Sequence, residues 1–353
     1  MRPALKAGLR PLWRDEETVQ FGVDPRRAVA LTGLGKAAAV LSLLDGSRDA
    51  DELVRTAQAY GTPAETTHQV LRLLASAGVL DDFPARLHRS LPDYLRERLA
   101  PELACASLAY GDGDGGAAAM ERRRAAHVRV HGAGRVGACV ATFLAASGVA
   151  RVSCLDSEVA GHADMTPAGL GTSDIGVPRA AGVAQAIRRV APEARTHDDP
   201  RLVPDLAVLT VPVGADEAAA LMRDRVPHLL VRADEAIGVV GPLVYPGRSA
   251  CLRCVDLSKA GRDPAWPKIL AQAASRGATS AACDTVLAAA TAALASAQAL
   301  AVIDNCGQQP PAAANGTLEL VLPARQWRRR GWPASPSCGC GADREENHAP
   351  RPA

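Results

Sequence analysis

Aromatic side chains are scarce in this chain: three Phe, four Trp and four Tyr make up 3% of its 353 residues. Single-stranded nucleic acid is commonly held on stacked aromatic faces, so that class of partner is disfavoured. Net charge is equally thin. Forty Lys and Arg against 38 Asp and Glu leave +2, which gives no field to hold a polyanion or a membrane surface. The opening stretch MRPALKAGLRPLWRDEE has basic residues but lacks the apolar core and small-residue cleavage site of a secretory signal, so a cytoplasmic protein is expected. Long apolar runs are missing apart from Thr285 to Ile303, about the length that crosses a bilayer. That run is mostly Ala and is broken by Thr291, Ser296 and Gln298, which predicts a buried helix and no membrane partner. Nine cysteines, an odd number, do not make a secreted disulfide framework.

What is present is an ordinary globular composition, 48% hydrophobic and 22% charged, long enough for two domains at about 150 residues each. From Leu34 to Leu80 the apolar spacing is helical. Leu41, Leu43 and Leu44 end at Asp45-Gly46-Ser47, Asp49 is placed to cap the next helix, and a third helix is expected from about Pro63 to Ser76. Gly78 ends it and Val79-Leu80 begins a strand, while Val19 to Val23 and Ala28 to Leu31 read as earlier strands. The stretch LLDGSRDADELVRTAQAYG with the later VLRLLASAGVL resembles the PqqD-like leader-peptide recognition domain of ribosomal-peptide modification systems. The resemblance implies a small winged-helix-like α+β domain over residues 1–85, on which a peptide adds as an extra strand. A DNA-binding winged helix or a plain interaction domain stays open. Residues 86–125 read as a helical connection ending in the glycine-rich GDGDGG, Gly111 to Gly116, a flexible linker by composition.

His127 to His131 (HVRVH) reads as a strand running into Gly132-Ala133-Gly134-Arg135-Val136-Gly137, then an apolar helix, then a second strand from Val149 to Leu155 ending in Asp156. A lone GxGxxG says little, but here it has its full βαβ context, with an acid about 20 residues beyond the last glycine. Gly132 permits the tight turn, Gly134 lets backbone approach phosphates, Gly137 lets helix and strand pack, and Asp156 would accept from ribose hydroxyls. Continuing through GVPRAAGVAQAIRRVAPEA, with CLRC at Cys251 to Cys254, SAQA at Ser296 to Ala299 and CGC at Cys338 to Cys340, this segment resembles the ThiF/MoeB family. Those proteins are bacterial relatives of ubiquitin-activating enzymes, and the likeness runs over residues 126–341. The implied fold class is α/β, a Rossmann-like ThiF-type domain with structural zinc, followed by a disordered tail over 342–353. ATP and magnesium are the cofactors the resemblance implies for a working member, and a homodimer would fit the family.

Cys251 and Cys254 have knuckle spacing, and Cys338 and Cys340 supply a second close pair. Four thiolates leave no open coordination position, so the expected zinc is structural. The family's usual second CxxC is shortened here to CxC. Free surface thiols are the alternative reading.

The catalytic pattern of the family breaks in two places. Where a working member has N-L-x-R-Q, this chain reads Asp164-Met165-Thr166-Pro167-Ala168, with Pro167 at the arginine. The phosphate-contacting lysine aligns with Arg179, and the magnesium-binding aspartate aligns near Pro212, with Asp216 close by. Loss of one electrostatic donor commonly costs on the order of 100-fold in rate, so no catalytic residue is assigned and adenylation is expected to be lost. Cys283, before the Ala-rich helix, is read as buried or incidental, and Cys105, Cys139, Cys154 and Cys306 as structural. Arg325 and Arg328 to Arg330 with Trp327 and Trp332 form a short basic and aromatic patch. Three functions remain open. One is a scaffold that binds a precursor peptide and presents it to a modifying enzyme. The second is an active adenylyltransferase acting on a C-terminal carboxylate. The third is a nucleotide-sensing regulator with a DNA-binding winged helix, disfavoured because Arg55 and Arg72 are isolated.

Overall fold

The structure, a computed structural model, describes residues 1–82, 91–275, 282–304 and 310–342. The chain divides into two compact units, Met1–Arg122 and Arg123–Ala353.

In the first unit β1 (Pro3–Leu5) pairs antiparallel with β5 (Leu80–Asp82), while β2 (Pro11–Trp13), β3 (Val19–Phe21) and β4 (Val29–Leu31) form an antiparallel meander with β3 in the middle. Between β4 and β5 come a 3₁₀ turn over Gly35–Leu43 and the helices α1 (Ala50–Ala59) and α2 (Ala64–Ser76). Asp49 caps α1 as its sequence position predicts, accepting the Glu52 N–H at 2.8 Å, a contact that typically contributes about 1 kcal/mol. The apolar faces of these elements meet in one core in which Val19, Phe21, Val40, Leu53 and Leu74 are fully buried.

The glycine-rich stretch corrects the expectation of a flexible linker. α3 (Asp93–Tyr110) belongs to the first unit, and after it Gly111, Gly113, Gly115 and Gly116 all take positive φ. The Gly113 carbonyl accepts from Asp82 N–H at 2.7 Å, and Asp114 accepts from Gly116 and Ala118 N–H at 2.8 and 2.7 Å. A Cβ on Gly116 would overlap the Leu103 carbonyl. The glycines serve left-handed backbone and close approach, not chain freedom. α4 (Ala117–Ala125) follows. A buried ion pair joins β1 to this region: Lys6 Nζ lies 2.6 Å from Asp81 and donates to the Ser107 hydroxyl at 2.7 Å. Cys105, expected to be a structural thiol, is exposed. Cys306 lies outside the described residues, as does the tail from residue 343.

The second unit is built on a seven-stranded sheet ordered β12-β11-β10-β9-β8-β6-β7. β6 (His127–His131), β7 (Arg151–Leu155), β8 (Leu206–Leu209) and β9 (His228–Asp234) run parallel. β10 (Ile237–Val244), β11 (Gly316–Val321) and β12 (Gln326–Gly331) continue the sheet antiparallel. The helices are α5 (Arg135–Ala146), α6 (Arg179–Val190), α7 (Ala215–Arg223), α8 (Leu252–Arg262), α9 (Trp266–Ser275) and α10 (Thr285–Asp304). β6 and β8 are neighbours although β7 lies between them in sequence, so the order reverses there, and such a switch point opens a crevice at the strand ends. α10 is the one helix among the described residues long and apolar enough to cross a membrane. Its Ala292, Ala295 and Ala299 are fully buried in the core beside α5 and β10, and small side chains let the helix lie close to the sheet.

Candidate functional site

The glycine loop sits at the switch point, directly after β6. Gly132 takes φ +91°, and a Cβ there would meet Thr210 Oγ1 and Val211 Cγ1 at 2.6 Å. A Cβ on Gly137 would overlap the Gly132 carbonyl. Gly134 is the N-cap of α5, and a Cβ there would have Asp164 Oδ1 as its neighbour at 3.8 Å. The three glycines therefore occupy a tight turn, the N-cap of the helix and a close packing contact.

The side chains around that loop are engaged with one another. Asp156 accepts the Ala133 N–H at 2.7 Å through Oδ2 and the Glu158 N–H at 2.8 Å through Oδ1, with its side chain only 6% exposed. It holds the loop to the end of β7 with the oxygens that a ribose would need. Arg179, at the start of α6, forms a fork with Asp164: Nε to Oδ2 at 3.0 Å and Nη2 to Oδ1 at 2.9 Å. Its Nη1 lies 3.8 Å from Asp156. Asp164 also accepts the Gly161 N–H at 2.9 Å. A bidentate Arg–carboxylate pair is a strong charge-assisted contact, and an arriving phosphate would have to compete with it.

Arg135, within the glycine motif, lies across the same loop. It donates to the Ala163 and Met165 carbonyls at 2.7 and 3.2 Å and to Thr285 Oγ1 at 2.8 Å. Motif spacing gives the backbone position of Arg135 but not the direction of so long a side chain, so sequence reasoning missed it. Pro167 occupies an exposed tight turn closed by Gly169 N–H to the Thr166 carbonyl at 3.1 Å, and Arg189 Nη2 donates to the Gly169 carbonyl of that turn at 3.3 Å. Pro212 is exposed beyond the end of β8, and Asp216 is an exposed residue in the first turn of α7. The neighbouring Glu217 instead pairs with His131 Nδ1 at 2.7 Å. Burial lowers the His131 pKa, while the facing Glu217 opposes that shift. Burial pushes the Cys283 thiol up, with Arg135 opposing, which works against a thiolate nucleophile.

The cysteines predicted to share a metal do meet. Cys251 caps the N-terminus of α8 and Cys254 lies in its first turn, while Cys338 and Cys340 sit in a turn whose Gly339 takes φ +74°. Sγ separations are 3.8 Å for Cys251–Cys254, 3.4 Å for Cys251–Cys338 and 3.6 Å for Cys254–Cys340, and all four sulfurs lie within 4.8 Å of one another. A tetrahedral ion with metal–sulfur bonds of about 2.3 Å needs edges of about 3.8 Å. The cluster can therefore hold a metal ion, and the shortened CxC brings its pair into it through the left-handed turn at Gly339. Burial pushes the Cys251 and Cys338 thiols up, a penalty that a bound dication offsets by favouring thiolates.

Residues 111–224 match the sequence model of the ThiF family. No curated protein sequence matches this chain. Among solved structures, E. coli MccB with AMPCPP and selenomethionine MccA superposes with a TM-score of 0.70 at 15% identity, covering 97% of this chain and 100% of that one. The microcin C7 biosynthetic enzyme MccB in complex with N-formylated MccA gives a TM-score of 0.67 at 15% identity over 97% and 100%. PaaA gives 0.68 at 15% identity over 94% and 100%. At these identities the superpositions speak for the fold, and with the family match they agree that this chain carries a ThiF-type domain.

Proposed function

We propose that this protein binds the leader segment of a ribosomally made precursor peptide and presents it to a separate modifying enzyme, without itself adenylating a carboxylate. The observation that carries this reading is the Arg179–Asp164 pair, with Asp156 tied to the glycine loop and Arg135 laid across it. The Asp156, Arg179 and Arg135 side chains are already engaged within the chain, and the positions expected to carry the family's arginine and magnesium-binding aspartate hold Pro167 and Pro212. Attack on an α-phosphate needs positive charge at its oxygens, and here Arg179 is already paired with Asp164, while Arg135 donates to the Ala163 and Met165 carbonyls and Thr285. The four-cysteine cluster is read as a structural zinc site, and the protein as cytoplasmic.

The peptide is assigned to the open edge of β4. Gly22 N–H bonds to the Arg10 carbonyl and Arg14 N–H to the Thr18 carbonyl, so alternate β3 residues from Thr18 through Gln20 face β2. By the alternation of antiparallel pairs, Val19 and Phe21 face Leu31 and Val29, which leaves the Ala30 N–H and C=O pointing outward. The opposite edge begins with Pro11, which has no N–H to offer. An extended segment added on β4 gains main-chain hydrogen bonds independent of its sequence. MccB was solved with MccA, which supports peptide binding as a use of this fold.

A second reading, a working adenylyltransferase, is favoured by the intact glycine-loop backbone and by the structure of MccB with ATP. Calorimetry of the purified protein with ATP and magnesium, paired with a pyrophosphate-release assay on candidate peptides, separates the two. Peptide binding without nucleotide binding or turnover is the expected result. Nucleotide binding with pyrophosphate release would overturn it.

A further inference from the structure

Outside both of those sites, the far edge of the large sheet carries an unusual concentration of charge. β12 (QWRRRG) is the last strand of the sheet, and all six of its residues are exposed. Opposed residues share a face of a sheet. Across β9, β10, β11 and β12 the register therefore sets Arg232, Val239, Glu319 and Arg328 in one row. Arg330 lies two residues along the same face of β12, and α8 adds Lys259 and Arg262.

These cations are poorly matched by anions. Arg330 Nε lies 3.5 Å from Glu319, whose cross-strand partner is Arg328. Asp256 accepts from Trp266 Nε1 at 3.2 Å. The Trp332 indole, held by Nε1–H donation to Thr317 Oγ1 at 2.9 Å, has Lys259, Arg262 and Arg330 at 5.8, 5.5 and 5.6 Å from its ring centre. Lys259 also lies 4.4 Å from the ring centre of Trp266. Burial lowers the Lys259 pKa, with Arg232 and Arg330 adding to the effect and Asp256 and Glu319 opposing it. The patch is an excess of positive charge in a chain whose total is +2.

The backbone of β12 is also available on one side. Trp332 N–H bonds to the Asn315 carbonyl. Counting back by twos, Arg330, Arg328 and Gln326 face β11, and the N–H groups of Trp327, Arg329 and Gly331 point away from the sheet. Trp327 is 39% exposed beside them.

We infer that the outer edge of β12 is a docking surface for an acidic, extended peptide segment of a partner protein, which pairs with the strand and places its carboxylates over Arg328, Arg330 and Lys259. Charge complementarity selects this occupant. A second copy of the same edge would set arginines against arginines, and charges of this kind also keep edge strands from pairing with themselves. The surface is independent of the β4 edge and of the nucleotide loop, so its fate does not depend on the function proposed above.

The test uses the full-length, metal-loaded protein and a dye-labelled peptide of alternating Glu and Val, about ten residues long so as to span the strand, read by fluorescence anisotropy. A single-stranded oligonucleotide of equal charge is the comparison polyanion. Arg328→Glu with Arg330→Glu should weaken peptide binding at least about tenfold, since like charge replaces opposite charge at the contact. Arg329→Pro, which removes the central outward N–H, should weaken it by a similar factor, while Arg329→Ala should stay within about twofold. Circular dichroism and retained metal content check that each variant is folded. Unchanged binding in the charge-reversed or the proline variant, or tighter binding of the oligonucleotide than of the peptide, would overturn the inference.

Discussion

Removal of the metal from the four-cysteine cluster should destabilise the second unit by an amount that follows from chain geometry. Cys251 and Cys338 are 87 residues apart, and Cys254 and Cys340 are 86 apart. An ion joining them acts as a cross-link, and closing a loop of that length removes about 4–5 kcal/mol of entropy from the unfolded chain. The two bonds lie side by side and close nearly the same loop, so they count once. For a unit of this size each kcal/mol moves the midpoint by about 2–4 °C, giving a fall of about 8–20 °C on chelation. Differential scanning calorimetry of zinc-loaded and chelator-treated protein, with thiols kept reduced, measures it, and Cys338→Ser should reproduce the chelated state. The first unit contains none of the four cysteines, so its transition is an internal reference. A shift corresponding to less than about 1 kcal/mol, or a Cys338→Ser protein that melts with the zinc-loaded one, would refute the cross-link argument.

Two further outcomes are expected. His127, His131 and His228 are buried with pKa values lowered by that burial. The folded state therefore binds protons less readily than the unfolded chain, so their contribution is complete above about pH 6.5 and is lost as pH falls toward the folded values. Urea titrations between pH 7.5 and 5, about the range in which histidine titrates, should show the second unit weakening by up to about 1.4 kcal/mol per pH unit for each site, whereas a pH-independent midpoint would contradict it. In the first unit, Lys6→Met leaves Asp81 buried without its cation and should cost about 3–5 kcal/mol, while adding Asp81→Leu should recover much of that loss, both read by denaturant midpoints.

Much of this architecture was legible along the chain because short-range physics writes it there. Gly132, Gly134 and Gly137 sit where a strand gives way to a helix, with Gly132 in the expected turn and Gly137 in the expected close packing. Asp49 announces the start of α1 because an N-cap is a local interaction. The run from Thr285 names its own helix, with alanines spaced for close packing. Composition misled at Gly111 to Gly116, where glycine served positive φ in an ordered turn instead of chain freedom. It misled again at Cys105, whose exposure depends on which face α3 turns to solvent.

The sequence by itself determined the loop, the βαβ order around it and two cysteine pairs of ligand spacing, because all of these are set within a few residues. Only the tertiary structure decided that the pairs meet, bringing together sulfurs 86 and 87 residues apart within 3.6 and 3.4 Å. It alone decided that Arg179 turns to Asp164, that Arg135 reaches Thr285, 150 residues further on, and that Arg232, Glu319 and Arg328 share one row. The physical reason is that charge pairing and sheet register depend on distance in space, and a long, freely rotating side chain carries no mark in the sequence of the partner it will find.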